Sequence, residues 1–195
     1  MARRSIAKEA ETVRECLGSH PIVLVGLMGA GKSSVGRRLA EKLRIPFVDA
    51  DQEIENAAGK TIPEIFADHG EAYFREGERR VIARLLGQGA QVLATGGGAF
   101  MNDETRARIA DGSVSVWLKA ELPLLMKRVA KRPGRPLLQT GDAGAVMRDL
   151  IARRYPVYAL ADVTVESRDV QHGQMVNDVI RALAQWDGWH RLNHE

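Results

Sequence analysis

Cysteine is almost absent from this chain. The one thiol, Cys16, excludes an internal disulfide and leaves no Cys-x-x-Cys pair for zinc or dithiol chemistry, which fits a reducing cytoplasm. Long apolar runs are missing too. Nothing approaches the roughly 20 residues that span a bilayer, and Met1-Ala2-Arg3-Arg4-Ser5-Ile6-Ala7-Lys8-Glu9 lacks the apolar stretch of a secretory signal. A cytoplasmic protein without a membrane partner is expected. Nor is charge of one sign in excess: 28 Lys and Arg face 25 Asp and Glu, a net of +3, so no polyanion-binding surface is demanded and no nucleic-acid partner is expected. Internal repeats and low-complexity tracts are absent. A length of 195 residues suffices for one well-buried core but not for two enzyme domains with linkers, so one compact domain is expected; a monomer is the working expectation, though length does not decide it.

What the chain does have is glycine where a nucleotide needs it. Gly26-Leu27-Met28-Gly29-Ala30-Gly31-Lys32-Ser33 is a Gly-x4-Gly-Lys-Ser loop. It lies between the β-branched run Ile22-Val23-Leu24-Val25 and a helical pattern with Val35, Leu39 and Leu43 on one face. Glycines let backbone N–H groups wrap phosphates, and the helix N-terminus adds positive potential. Lys32 is suited to neutralise the β and γ phosphates, and the Ser33 hydroxyl to bind Mg2+ directly. Gly29, Ala30, Gly31, Lys32, Ser33 and Ser34 are the candidate ATP-phosphate site.

Short apolar runs alternate with helical patterns along the rest of the chain, which means a parallel sheet. Candidate strands are 21–25, 45–49, 91–95, 113–118 and 162–166. Helical patterns cover 51–57, 63–68, 71–86, 103–111, 123–131, 144–154 and 171–186. The expected fold is a three-layer α/β P-loop NTPase fold, a five-stranded parallel sheet flanked by helices, with a small lid. Residues 1–20 read as a polar, helical N-terminal extension, 21–186 as a single P-loop domain with the lid near 127–144, and 187–195 as a C-terminal tail expected to fray.

Other residues gather around the loop. The second strand ends in Asp49-Ala50-Asp51, and strand periodicity would point both carboxylates to one side of the ligand-binding sheet edge. One carboxylate then suits the water shell of Mg2+ and the other an attacking hydroxyl, whereas the plainer alternative has Asp51 capping the following helix. The third strand runs into Thr95-Gly96-Gly97-Gly98-Ala99 instead of the acid that closes this strand in mechanical P-loop ATPases. The glycines suit either a backbone nest for a small ligand or a flexible turn. Arg75 reads on spacing as part of a solvated ion-pair face with Glu71 and Glu78, and Arg154 as a cation in the last turn of a helix before Pro156. Five cations crowd residues 127–135 with no acid among them. Without interleaved aromatics they fit a hinged lid over ATP better than a nucleic-acid surface.

Taken in order, the phosphate loop, Asp49-Ala50-Asp51, Phe74-Arg75 with Glu78, Gly96-Gly97-Gly98, Arg135-Pro136-Leu137-Leu138 and Arg154-Tyr155-Pro156-Val157-Tyr158 resemble shikimate kinase from about Pro21 to Trp186. The resemblance implies ATP-dependent phosphorylation of the 3-hydroxyl of shikimate, with Mg2+ as cofactor, in the pathway to aromatic amino acids. It implies that Lys32, Asp51 and Arg135 are catalytic, with Asp51 orienting the hydroxyl and Arg135 reaching the ATP phosphates from the lid. Asp49 would hold Mg2+ through water and Arg128 would lie nearer the adenine. Arg75 and Arg154 would grip the substrate carboxylate, and Gly96, Gly97 and Gly98 would line its site. Two alternatives share parts of this pattern: a gluconate-type polyol kinase, and a non-catalytic P-loop protein that binds nucleotide without transferring it.

Overall fold

Ile22-Val23-Leu24-Val25 forms the central strand, and all four side chains are buried, as a β-branched run covered on both faces requires. The structure, a computed structural model, describes residues 2–131 and 142–192. The chain runs α1 (Ala2–Leu17), β1 (Ile22–Val25), α2 (Lys32–Leu43), β2 (Phe47–Asp49), α3 (Ala50–Ala58), α4 (Ile62–Leu86) and β3 (Val92–Ala94). After a 3-10 turn (Ala99–Met101) come α5 (Asp103–Gly112), β4 (Val114–Lys119), α6 (Leu122–Val129), α7 (Ala143–Tyr158), β5 (Val163–Glu166), α8 (His172–Ala184) and α9 (Trp189–Leu192).

The five strands are parallel in the order β2-β3-β1-β4-β5. Ile22 pairs with Val92 of β3 on one side and Val114 of β4 on the other, so β1 sits where the connections diverge. Open α/β sheets bind ligands at the carboxyl ends of strands beside such a point. The expected α/β fold is the one observed, with strand ends within two residues of their predicted places.

α4 shows how local chemistry shapes the site. Thr61 and Glu64 cap each other's backbone at its start, and Gly70 (φ 79°, ψ 177°) breaks it into the two helical segments that the sequence pattern predicts. The second segment carries Arg75 and Glu78 toward the end of β3.

Both chain ends depart from the plain reading. Ile6, Ala10, Val13 and Leu17 of α1 recur at helical spacing and are buried against α2 and α8. The C-terminal segment does not fray through Leu192. Trp189 and Leu192 are buried, Trp189 Nε1 donates to Leu183 O (3.0 Å), and Arg191 donates to Asp162 Oδ1 (2.7 Å) and Ser113 O (3.0 Å). Buried indole and a bidentate arginine outweigh the fraying of a short polar terminus.

Candidate active site

The phosphate loop leaves β1 through three glycines in the left-handed region, Gly26 (φ 140°), Gly29 (82°) and Gly31 (101°). A side chain at Gly26 would also strike the Leu118 carbonyl at 2.8 Å, so only glycine lets the loop arch over the end of β4. Lys32 Nζ folds back on this arch and donates to Gly26 O (2.7 Å) and Leu27 O (3.1 Å). Arg128 Nη1 reaches Gly29 O and Ala30 O, both at 3.2 Å, and Gly31 O accepts from Val35 N (2.8 Å). Carbonyl groups along the loop are thereby occupied, and the anion is left the N–H groups. Burial pulls the Arg128 guanidinium below its ordinary pKa, with Asp169 opposing the shift.

Ser33 Oγ donates to Asp49 Oδ2 at 2.7 Å, joining the start of α2 to the end of β2. Asp49, and not Asp51, is the N-cap of α3: its Oδ1 accepts from Asp51 N at 3.2 Å. The strand periodicity expected for the pair therefore does not apply, because the helix starts at Ala50 and Asp51 lies in its first turn. Both carboxylates nevertheless line one cleft of about 440 Å³, together with Lys32, Ser33, Thr95 and Gly97. Its other wall includes Arg128, Lys131, Ser167, Asp169, His172 and Met175.

Spacing and steric fit explain the glycine run. None of Gly96, Gly97 and Gly98 has positive φ, so the left-handed step of an anion nest is absent and backbone freedom is not what they supply. They supply space. A β-carbon at Gly96 would stand 2.7 Å from Asp51 Oδ1 and 2.9 Å from Glu78 Oε1, one at Gly97 3.3 Å from Arg154 Nη1, and one at Gly98 2.5 Å from Arg75 Nη1. Gly96 floors the carboxylates of Asp51 and Glu78, Gly97 the Arg154 guanidinium and Gly98 that of Arg75. Asp51, Arg75 and Arg154, drawn from α3, α4 and α7, converge there.

Arg75 does not lie on a fully solvated face. Its Nε and Nη2 reach the exposed Glu71, as spacing predicts, but Nη1 donates to Glu78 Oε2 at 2.7 Å, and the Glu78 side chain is 4% exposed. Burial raises the Glu78 pKa, Arg75 opposes the shift, and nearby Asp51 adds to it. Glu78 Oε1 is buried without a hydrogen-bond partner. Burial also depresses Arg75, yet Glu78 and Glu71 hold it above its ordinary value.

Arg154 does not stand in a terminal helical turn. α7 continues through Pro156 to Tyr158 and has no basic residue in its last turn. Tyr155 OH bonds Ala120 O and Tyr158 OH bonds Gly97 O, and these tertiary bonds hold the turn that proline weakens. Arg154 Nη1 donates to the same Gly97 carbonyl at 2.8 Å. Burial pushes the Tyr158 phenol up to about 12, so it remains a donor. Neither Arg75 nor Arg154 lines the 440 Å³ cleft directly; Gly97 connects Arg154 to it. Arg135 and the rest of Arg135-Pro136-Leu137-Leu138 lie outside the described residues. Glu78, Tyr158 and Ser167 have no role assigned on sequence grounds; Glu78 and Tyr158 stand inside quoted motifs, and Ser167 carries no signal.

Known proteins resemble this chain over most of its length. The family model for shikimate kinase matches residues 28–184. A shikimate kinase of Rhodopseudomonas palustris is 57% identical over 176 residues, covering 90% of this chain and 86% of its own. The solved structure of the Acinetobacter baumannii shikimate kinase in complex with shikimate superposes with a TM-score of 0.81 at 37% identity, over 86% of this chain and 95% of that one. A gluconokinase of Sinorhizobium meliloti shares the fold alone, with a TM-score of 0.61 at 19% identity over 90% of this chain and 98% of that one. With the phosphate loop, the acid pair and the arginines on their glycine floor already in place, the match across most of the chain leaves one assignment: the protein belongs to the shikimate kinase family.

Proposed function

We infer that the protein transfers the γ-phosphoryl group of ATP to the 3-hydroxyl of shikimate, giving shikimate 3-phosphate and ADP. The observation that carries this reading is the convergence of Asp51, Arg75 and Arg154 on Gly96-Gly97-Gly98, beside the phosphate loop. A carboxylate and two guanidinium groups suit an acceptor with a hydroxyl at one end and a carboxylate at the other.

Phosphoryl transfer asks for positioning and charge neutralisation more than for covalent chemistry. The loop N–H groups and Lys32 would take the ATP phosphates, a charged acceptor drawing the ammonium from the neutral carbonyls of Gly26 and Leu27. Asp51 would accept a hydrogen bond from the 3-hydroxyl and then its proton. Arg75 and Arg154 would hold the substrate carboxylate, with Gly97 linking Arg154 to the cleft, and Arg135 would reach the transferred group. The oxygen donors Ser33 and Asp49, 2.7 Å apart, would hold the Mg2+ that accompanies ATP, which would supply neutralisation of phosphate charge.

The test is substrate dependence. Purified protein with Mg·ATP should release ADP only when shikimate is added. Equal turnover with gluconate, or none with shikimate, would overturn the reading.

A further inference from the structure

Ser167 follows β5, which is separated from β1 by β4. Its hydroxyl nevertheless meets the phosphate loop. The backbone N–H of Ser167 donates to Lys119 O at 2.6 Å, holding the residue against the end of β4, over which the loop arches. Its side chain is fully committed in this position. Oγ donates its one proton to Ala30 O at 2.9 Å and accepts from Arg128 Nη1 at 2.8 Å. Arg128 Nη2 closes the network on Arg168 O at 2.7 Å. Ser167 is 6% exposed, so water replaces none of these bonds cheaply.

A phosphate cradle works only while its carbonyl oxygens face away from the anion, because a carbonyl turned inward adds repulsion where N–H groups should attract. Lys32 holds the first carbonyls of the loop, but it is also the residue that must turn to the phosphates. The Gly29 and Ala30 carbonyls are held from the other side, by Arg128 and Ser167. We propose that Ser167 is a positioning residue for the nucleotide: its hydroxyl fixes the outer side of the phosphate loop and the Arg128 guanidinium in one arrangement. The proposal rests on reading the cleft as the ATP site, and it assigns a role to a residue that touches the loop without needing to touch the phosphates.

The experiment measures Mg·ADP binding by calorimetry in full-length wild type, Ser167→Ala, Ser167→Thr and Ser167→Cys, beside kinetics in which ATP and shikimate are varied separately. Ser167→Ala should weaken ADP and raise the KM for ATP about fivefold, about 1 kcal/mol at tenfold per 1.4 kcal/mol, while the KM for shikimate stays put. Ser167→Thr, which keeps the hydroxyl, should restore nucleotide affinity to within about twofold of wild type. Unchanged ADP affinity in Ser167→Ala with a lower melting temperature would make the residue merely structural and overturn the proposal. Equal losses for ATP and shikimate, or a threonine variant as defective as alanine, would do the same. The cysteine variant keeps the volume but donates weakly, so wild-type ADP affinity there also counts against a hydrogen-bonding role. Wild-type protein that binds ADP yet ignores shikimate would instead refute the acceptor assignment and leave the ADP comparison intact.

Discussion

Replacing Gly98 by alanine places a methyl carbon 2.5 Å from Arg75 Nη1 and 2.8 Å from its Cζ and Nη2. The backbone is no obstacle, since Gly98 lies at φ −98°, ψ −16°, which any residue adopts. The side chain is the obstacle. Ordinary contact needs about 3.5 Å, so the guanidinium must retreat by roughly 1 Å. It cannot retreat freely, because Nη1 is bound to the buried Glu78, whose other oxygen already lacks a partner. A 1 Å misplacement of a positioning group costs up to about 100-fold. The KM for shikimate should therefore rise about 10- to 100-fold in Gly98→Ala, with the KM for ATP within about twofold. Gly97→Ala needs only a few tenths of an ångström from Arg154 Nη1, 3.3 Å away, so its defect should be smaller. Gly96→Ala meets Asp51 Oδ1 at 2.7 Å, and its loss should fall on kcat. Gly77→Ala is the control: nothing lies within 4 Å of its β-carbon, and mid-helix alanine should add about 0.5–1 kcal/mol of stability. Steady-state ADP release with each substrate varied reads the three site variants, and thermal unfolding reads Gly77→Ala. A wild-type shikimate KM in Gly98→Ala, or a worse one in Gly97→Ala, would refute the steric reasoning.

Asp51→Asn should lower kcat by about 100- to 10,000-fold, the usual worth of a general base, while calorimetric ADP affinity holds; weakened ADP with intact turnover would contradict the role. Arg154→Ala should cost about 2–5 kcal/mol of shikimate binding, as expected when a buried charged pair loses one member, and an unchanged shikimate KM would leave Arg154 only its bond to Gly97. Glu78 gives a pH signature. Its carboxyl titrates above its ordinary value in the folded chain, chiefly through burial. Its contribution to stability is therefore full below the unfolded pKa of about 4.3 and is lost as pH rises through the folded value. The melting temperature of wild type minus that of Glu78→Gln should fall as pH climbs from about 4; thermal scans across that range in which the difference grows would show the sign to be wrong.

Elements with strong local chemistry are legible in the sequence alone. β1, the phosphate loop and α2 combine an apolar β-branched run, glycines and a helical stripe, and each signal points to the same unit. Gly70 likewise marked the break in α4, since two helical patterns meet there without it. What sequence could not settle depends on packing or on a register of one or two residues. Asp49 and Asp51 were seen as a pair, but which one caps α3 turns on whether the helix begins at Ala50. Pro156 marks a helix end on propensity, whereas α7 runs past it, with Ala159 N donating to Tyr155 O and the tertiary bonds of Tyr155 and Tyr158 supporting the turn. Leu17 and Trp189 look like ends of polar segments until the helices that cover them are in place.

Arg75 shows why spacing alone undervalues a site residue. Helical intervals to Glu71 and Glu78 predict two equivalent surface pairs, each of little consequence. The fold makes them unequal: the Glu71 side chain is 68% exposed and the Glu78 side chain 4%. If Arg75 takes the substrate carboxylate as proposed, that carboxylate would compete with Glu71 and not with Glu78. Displacing an exposed carboxylate returns it to water at small cost, whereas displacing Glu78 would strand a buried charge. Glu78 thus holds one edge of the guanidinium while exposed Glu71 occupies the edge that, on the proposed reading, the substrate would take, and the missing side chain at Gly98 leaves the guanidinium the room it occupies.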